Sequence, residues 1–181
     1  MCKLLVENKK IKLKNGYACD TYSKLYHTIY SYSELGNIVN ECKYVKNIDF
    51  PLKVVDVMVK NIKSKLGVDY DLIMCIPSTH SGRKVFNLTQ DIAKKLNIPF
   101  KPYLFKQTHQ VQKYQKHKKE KLTPRLRYGG KENIKNKNIL LIDDVCDTGA
   151  SLKSAAKELS KHGVNSVTPI VITKTLFGKT T

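Results

Sequence analysis

The sequence predicts an α/β domain whose central, mostly parallel sheet is flanked by helices. Three segments rich in apolar residues have the length of buried strands, over residues 71–76, 138–143 and 166–173, and the first of them is a continuous apolar run after Asp71. Helix-length segments with an apolar stripe separate them, over 86–96 and 151–162. Strands that alternate with helices in this way are typical of parallel sheets covered on both faces.

The amino-terminal part predicts a small hairpin followed by a helix. Weak alternation of apolar and polar residues over 3–6 and 10–14, on either side of a polar turn at 7–9, favours the hairpin. Ser33 is a suitable N-cap for a helix over 33–46, which has its apolar residues on one face.

The sequence from residue 51 onward predicts a core domain. Pro51 and Gly67 mark the first turn and the end of a further helix. A shorter strand is expected over 99–105. We therefore expect an N-terminal extension over 1–50, packed on a core domain over 51–181.

Composition limits the classes of protein. Hydrophobic residues make up 41% of the 181 residues, and their longest runs are too short for a membrane span. Five scattered cysteines without a CxxC pair are typical of reduced thiols in a cytoplasmic protein. The formal net charge of +18 would attract phosphorylated substrates and also nucleic acid.

The most informative segment is a strand, a turn and a helix around residue 145. The strand ends in two carboxylates, Asp143 and Asp144. The turn and the start of the helix are formed by Asp147, Thr148, Gly149, Ala150 and Ser151. Backbone N–H groups at a helix start suit a phosphate, and carboxylates at the end of a strand accept hydrogen bonds from hydroxyls. This pattern indicates a site for a phosphorylated sugar, whereas an ordinary polar turn requires no paired acids before it.

A nucleotide-binding P-loop is the rival interpretation. Residues 139–144 resemble a Walker B strand, and residues 178–180 resemble the end of a Walker A loop. The opening glycine of such a loop would stand at Thr173. The rival interpretation therefore fails.

The strand–turn–helix segment resembles the binding motif for 5-phosphoribosyl 1-pyrophosphate (PRPP) of type I phosphoribosyltransferases. Over residues 28–175 the chain resembles the ComF-type (competence protein F) branch, described as predicted amidophosphoribosyltransferases. Further residues that carry this resemblance are Ser33–Gly36, Lys43-Tyr44 and Phe86-Asn87. The branch often has an N-terminal cysteine zinc ribbon, which is not expected here. Asp147 stands where that branch often has threonine and is similar to the purine-salvage branch.

The resemblance implies a type I phosphoribosyltransferase fold and a Mg²⁺-dependent reaction. A phosphoribosyl group would pass from PRPP to a nitrogen acceptor, a purine or pyrimidine base or an amine, with release of pyrophosphate. It implies catalytic roles for Asp143, Asp144 and Asp147. The first two would hold the ribose hydroxyls, directly or through Mg²⁺, and residues 147–151 would bind the 5′-phosphate.

The resemblance also implies three further groups of site residues. A pyrophosphate loop would contain Ser78, Ser81, Gly82, Arg83 and Lys84. A flexible loop within 107–130 would close over the substrate with cations among Lys116, Lys118, Lys119 and Arg125. Lys174 resembles the base-recognition lysine of the purine-salvage branch in its placement.

A second hypothesis comes from a different class of protein. The same motif would bind PRPP without turnover in an accessory protein of DNA uptake or regulation, and the basic surface would hold nucleic acid. The sequence leaves open the acceptor, the pathway and whether the protein forms a homodimer.

Overall fold

The structure, a computed structural model, describes residues 2–4, 7–26, 29–78, 83–106 and 126–175. The strands are β1 (Cys2–Leu4), β2 (Gly16–Thr21), β3 (Ser23–Tyr26), β4 (Ile29–Tyr32), β5 (Leu72–Cys75), β6 (Leu104–Lys106), β7 (Leu126–Tyr128), β8 (Asn138–Cys146) and β9 (Ser166–Lys174). The helices are α1 (Glu34–Asn40), α2 (Leu52–Asn61), α3 (Lys84–Leu96) and α4 (Ala150–Lys161). α1 and α2 each continue into a π-helical turn, Glu41–Val45 and Ile62–Leu66.

A five-stranded sheet forms the centre of the molecule, in the order β1-β2-β9-β8-β5. β2, β9, β8 and β5 are parallel to one another, and β1 is antiparallel to β2. Two antiparallel pairs, β3 with β4 and β6 with β7, lie outside this sheet. The prediction of a mostly parallel central sheet is confirmed.

Alternate residues of β8 enter two different cores. Leu140 and Ile142 pack with residues of α1, α2 and α3 on one face of the sheet. Ile139 and Leu141 pack with residues of α4 on the other. All four side chains are fully buried, which explains why this strand is a continuous apolar run rather than an alternating one.

The predicted helices are confirmed, with shifts of one or two residues at their ends. The Ser33 hydroxyl accepts a hydrogen bond from the backbone N–H of Gly36 at 2.9 Å and caps α1. Gly67 and Gly163 follow their helices with positive φ angles of 78° and 73°, which glycine adopts without steric cost. In the part of the chain that the structure describes, no helix combines the length and apolar character needed to cross a membrane.

The predicted N-terminal hairpin has a different second strand. Asn8 caps a short 3-10 helix over Lys9–Ile11 by accepting a hydrogen bond from the backbone of Lys10. This turn takes up Lys10 and Ile11 of the expected second arm, 10–14, and Leu13 forms only isolated bridges, to Asn8 and Val167. β1 pairs instead with β2, which continues into the central sheet beside β9. The division of the chain at residue 50 stays a prediction, and strands from before that residue join the same sheet as β5, β8 and β9.

The prediction of a strand over 99–105 is wrong in its position. Phe100 forms only an isolated bridge to Ile73, with Ile73 donating to the carbonyl of Pro99. The next donor to β5 would be the N–H of Tyr103, but it donates to the carbonyl of Lys101 at 2.9 Å, so the ladder along β5 stops there. The regular strand, β6, begins at Leu104 and pairs with β7 outside the main sheet.

We expect Leu140→Ala to lower the free energy of unfolding by about 2–5 kcal/mol, because it leaves a cavity in a fully buried position of the central strand. The matched control is Leu52→Ala, which removes the same atoms from a side chain that is 63% exposed. Urea unfolding of both variants measures the difference. A similar loss in the two variants would contradict the packing described for β8.

Candidate functional site

A cavity of about 200 Å³ opens at the carboxyl ends of β5 and β8. It is lined by Lys43, Tyr44, Ile76, Pro77, Ser78, Val85, Lys106, Asp143, Asp144, Val145 and Ser151. Ligands of open α/β sheets bind in this position, in the crevice beyond the carboxyl ends of the strands. The predicted acid pair and the start of α4 therefore share one cavity.

The two acids near the end of β8 are held by the backbone. One oxygen of Asp143 accepts a hydrogen bond from the N–H of Asp144 at 2.9 Å. One oxygen of Asp144 accepts from the N–H of Val145 at 2.7 Å. Burial, and then the neighbouring charge of Asp144, raise the pKa of Asp143 above its ordinary value. The pair is a fixed group of oxygen acceptors in a crevice.

Two lysines bring positive charge to these acids. The Nζ atom of Lys43 lies 2.8 Å from Oδ2 of Asp144. Burial opposes the charge of Lys43, but the ion pair with Asp144 outweighs it, so the pKa of Lys43 is raised. Burial lowers the pKa of Lys106, although Asp143 and Asp144 act in the opposite direction.

The sequence did not predict a role for Lys43 or Lys106. A pattern in the sequence could have identified Lys43, because this residue lies four residues after the buried Val39 and eight after the buried Leu35. It thus extends the apolar stripe of the helix with a charge. Lys106 ends β6, and nothing in the local sequence distinguishes it from neighbouring lysines.

The turn before α4 has the shape of an anion-binding loop. Gly149 is left-handed, with a φ angle of 73°, and directly precedes the first residue of α4. The hydroxyl of Thr148 accepts from the N–H of Ala150 at 3.4 Å. Oδ1 of Asp147 accepts from the hydroxyl of Thr175 at 2.9 Å, which ties the turn to the end of β9. The N–H groups of the first turn of α4, together with Ser151 in the cavity lining, can receive a phosphate.

The residues predicted for the pyrophosphate loop do not all meet at the cavity. Ser78 lines it. The guanidinium of Arg83 lies 5.7 Å from the ring centre of Phe86, and the amine of Lys84 donates to the side chain of Asn47. Neither cation is among the residues that line the cavity. Ser81 and Gly82 lie outside the described residues.

The cations predicted for the flexible loop, Lys116, Lys118, Lys119 and Arg125, also lie outside the described residues. The segment that contains them begins after Lys106 and ends before Leu126, and these two residues are partners in the ladder between β6 and β7. β7 lies at the end of the range 107–130 in which the flexible loop is predicted, so residues 126–128 form a strand there rather than a loop. The two residues that flank the segment 107–125 are thus held together next to the cavity.

Lys174 and Cys146 are neighbours in the register between β9 and β8. Lys174 is half-buried and is not part of the cavity lining. Cys146 is buried, and burial raises the pKa of its thiol to about 11. A thiol that stays protonated at neutral pH fills space and is a poor nucleophile.

The donor set of the crevice suits Mg²⁺. Carboxylate oxygens are hard ligands, and Mg²⁺ is commonly bound by one or two carboxylates together with water and substrate phosphates. Asp143 is half-buried, and Asp144 faces the same cavity. These two residues would hold the ion.

Comparison with known proteins agrees with the fold. Residues 46–179 match the sequence profile of the phosphoribosyl transferase domain. No curated protein sequence matches the chain at a significant level.

Solved structures also resemble this one. Glutamine PRPP amidotransferase from B. subtilis, complexed with ADP and GMP, is 13% identical with a TM-score of 0.52, and the match covers 74% of this chain and 30% of the amidotransferase. A hypothetical protein from Neisseria gonorrhoeae with bound ppGpp is 20% identical with a TM-score of 0.48, over 71% of this chain and 69% of that one. Purine phosphoribosyltransferase from Pyrococcus horikoshii is 14% identical with a TM-score of 0.46, over 67% and 80%.

The first of these similarities supports the fold alone, because the identity is low. The family profile reaches further, since it includes the acid pair, the turn before α4 and all of the residues that line the cavity except Lys43 and Tyr44. It covers well over half of the 181 residues, and the chain therefore belongs to the phosphoribosyl transferase domain family.

Proposed function

We propose that this protein is a PRPP-dependent phosphoribosyltransferase that uses Mg²⁺ and transfers the phosphoribosyl group to a nitrogen acceptor. Membership of the family implies phosphoribosyl transfer as the chemistry. The observation that carries the proposal is the shared cavity, in which Asp143 and Asp144 lie together with Ser151 from the first turn of α4. A diol-binding group beside a phosphate-binding turn matches the two ends of ribose 5-phosphate.

Each part of the cavity has a role in this proposal. Backbone N–H groups at the start of α4, with the hydroxyls of Thr148 and Ser151, bind the 5′-phosphate. Asp143 and Asp144 accept hydrogen bonds from the ribose hydroxyls and fix the sugar ring. Lys106 stands beside the acids, where it faces the negative charge of the ligand.

The reaction breaks the bond between ribose C1 and the pyrophosphate oxygen and forms a bond between C1 and the acceptor nitrogen. The electron pair of the broken bond leaves with pyrophosphate, and the nitrogen loses a proton. Asp147, fixed by Thr175 at 2.9 Å, is a base positioned beside the phosphate turn. Mg²⁺, when bound, would neutralise negative charge on the pyrophosphate. Cations of the predicted pyrophosphate loop, Arg83 and Lys84, and of the predicted flexible loop would add to that effect.

The proposal also includes the class of the acceptor and membership of the ComF-type branch. Lys174 is the candidate for base recognition, and its neighbour in the chain, Thr175, donates to Asp147 at 2.9 Å. A purine base, a pyrimidine base and an amine are the acceptor classes to compare.

The test is pyrophosphate release from PRPP and Mg²⁺ across a panel of bases, glutamine and ammonia. We expect release that depends on one acceptor class, and at least a ~100-fold lower rate in Asp143→Asn/Asp144→Asn, because the variant loses charged acceptors that fix the ribose. The matched control, Asp56→Asn/Asp69→Asn, removes two exposed carboxylates away from the cavity and should keep the rate. Both variants should unfold cooperatively, as followed by circular dichroism.

A second candidate function is a PRPP-binding accessory protein without turnover, and the net charge of +18 favours nucleic acid as its partner. Tight PRPP binding without pyrophosphate release for every acceptor would contradict the enzyme and support this candidate. Salt-dependent binding to DNA would then be the next observation to make.

A further inference from the structure

Lys43 reaches the cavity from the π-helical turn that continues α1, far from the acids in the chain. Its Nζ atom lies 2.8 Å from Oδ2 of Asp144, and the side chains of the two residues are only 24% and 10% exposed. π-helical turns occur frequently at functional sites. Here the i→i+5 bond that defines the turn runs from the N–H of Lys46 to the carbonyl of Glu41 at 2.7 Å, around Lys43.

The ion pair makes the two acids unequal. Both oxygens of Asp144 are engaged, one by the N–H of Val145 at 2.7 Å and the other by Lys43 at 2.8 Å. Asp143 uses one oxygen to accept from the N–H of Asp144 at 2.9 Å, and within the described residues it forms no ion pair. Adjacent carboxylates in a crevice repel each other, and burial of a charged carboxylate without a positive partner costs free energy.

We propose that Lys43 is a positioning residue, which holds Asp144 in place and leaves Asp143 to accept the larger share of the hydrogen bonds from the sugar hydroxyls. The inference rests on the proposed function, because it assigns different tasks to the two acids of the same site. Lys43 offsets one of the two negative charges of the acid pair. Lys43 also lines the cavity, where its charge would favour an anionic ligand.

Ribose 5-phosphate is the suitable probe, because it carries the diol and the 5′-phosphate but no pyrophosphate. Its affinity is measured by isothermal titration calorimetry in buffer with EDTA, so that no metal contributes. We expect Lys43→Met to weaken binding about 10- to 100-fold, the size of a lost hydrogen bond to a charged group. Lys43→Arg should restore most of the affinity.

Lys46→Met is the matched control. Lys46 lies on the same π-helical turn region and pairs with Glu41 at 2.7 Å, but both side chains are largely exposed and neither lines the cavity. We expect its affinity for ribose 5-phosphate to stay within about twofold of the wild type, since exposed ion pairs contribute little.

A double-mutant cycle separates positioning from a general effect of charge. If Lys43 acts through Asp144, the double variant Lys43→Met/Asp144→Asn should bind ribose 5-phosphate about as weakly as Asp144→Asn alone. In Lys43→Met/Asp143→Asn, the fold-losses of affinity of the two single variants should instead multiply. Unchanged or tighter binding by Lys43→Met would overturn the inference, and so would losses that multiply with Asp144→Asn.

Folding and the proposed function are checked separately. Thermal unfolding of each variant shows whether it is folded, and if Lys43→Met is not, Lys43→Gln and Lys43→Arg provide the same comparison. Binding of ribose 5-phosphate by the wild type tests the site itself. A wild type that binds neither this probe nor PRPP would overturn the proposed function and the inference together, whereas normal wild-type binding with an unaffected Lys43→Met would overturn the inference alone.

Discussion

Replacement of Gly149 by alanine is expected to weaken the binding of ribose 5-phosphate by about 10- to 100-fold, if the proposed phosphate turn is correct. Gly149 has a φ angle of 73°, and a Cβ atom in this left-handed region costs about 1–2 kcal/mol. The backbone can relieve that strain by rotating, which moves the N–H groups at the start of α4 away from the phosphate. Calorimetric titration of the variant measures the loss.

Gly163→Ala is the control for backbone strain. Gly163 lies just after the other end of α4 with the same φ angle of 73°, and the atom nearest to its added Cβ would be in the side chain of Lys135, at 3.2 Å. Both variants should lose similar free energy of unfolding, but only Gly149→Ala should lose affinity. Equal affinities in the two variants would contradict a phosphate site at the start of α4.

The parts of the fold that the sequence predicts well are those whose signal is local. The run at 139–142 is apolar at every position because β8 is buried on both faces, as is typical of a parallel strand covered on both sides. α4 has an apolar stripe together with a glycine at each end, so that its limits follow from steric rules. The acid pair and the phosphate turn lie within the same short segment, and their proximity follows from the chain itself.

Contacts between distant segments are the parts that the sequence does not predict. β2 joins the central sheet only through its pairing with β9, from the opposite end of the chain, and its mixed composition gives no sign of this. The neighbouring pair β3–β4 is likewise absent from the prediction. Lys43 meets Asp144 because α1 packs against β9 and β2, which no local pattern encodes.

Residues 99–105 show how a local turn limits such predictions. They have the composition of a short strand, and the first of them do approach β5 through the bridge of Phe100 to Ile73. The N–H of Tyr103 then donates to the carbonyl of Lys101 instead of to β5, and the ladder ends. β6 forms beyond this point and holds Lys106 at the cavity.

Gly36→Ala is expected to lower the free energy of unfolding by about 3 kcal/mol or more, the upper range for overpacking a core. Helix propensity alone predicts the opposite sign, because alanine stabilises a helix interior by about 1 kcal/mol relative to glycine. The added Cβ atom would lie 1.8 Å from the backbone carbonyl oxygen of Tyr22, which cannot move like a flexible side chain. We expect the steric clash to outweigh the propensity.

The neighbouring position provides the control, because Asn37→Ala places alanine on the exposed side of the same helix. Its unfolding free energy in urea should stay within about 0.5 kcal/mol of the wild type. Gly36 also donates its N–H to the capping hydroxyl of Ser33 at 2.9 Å, so a shift of α1 would disturb the helix that leads to Lys43. Any folded fraction of Gly36→Ala should therefore bind ribose 5-phosphate more weakly, and a stable variant with normal affinity would contradict the close packing of α1 on Tyr22.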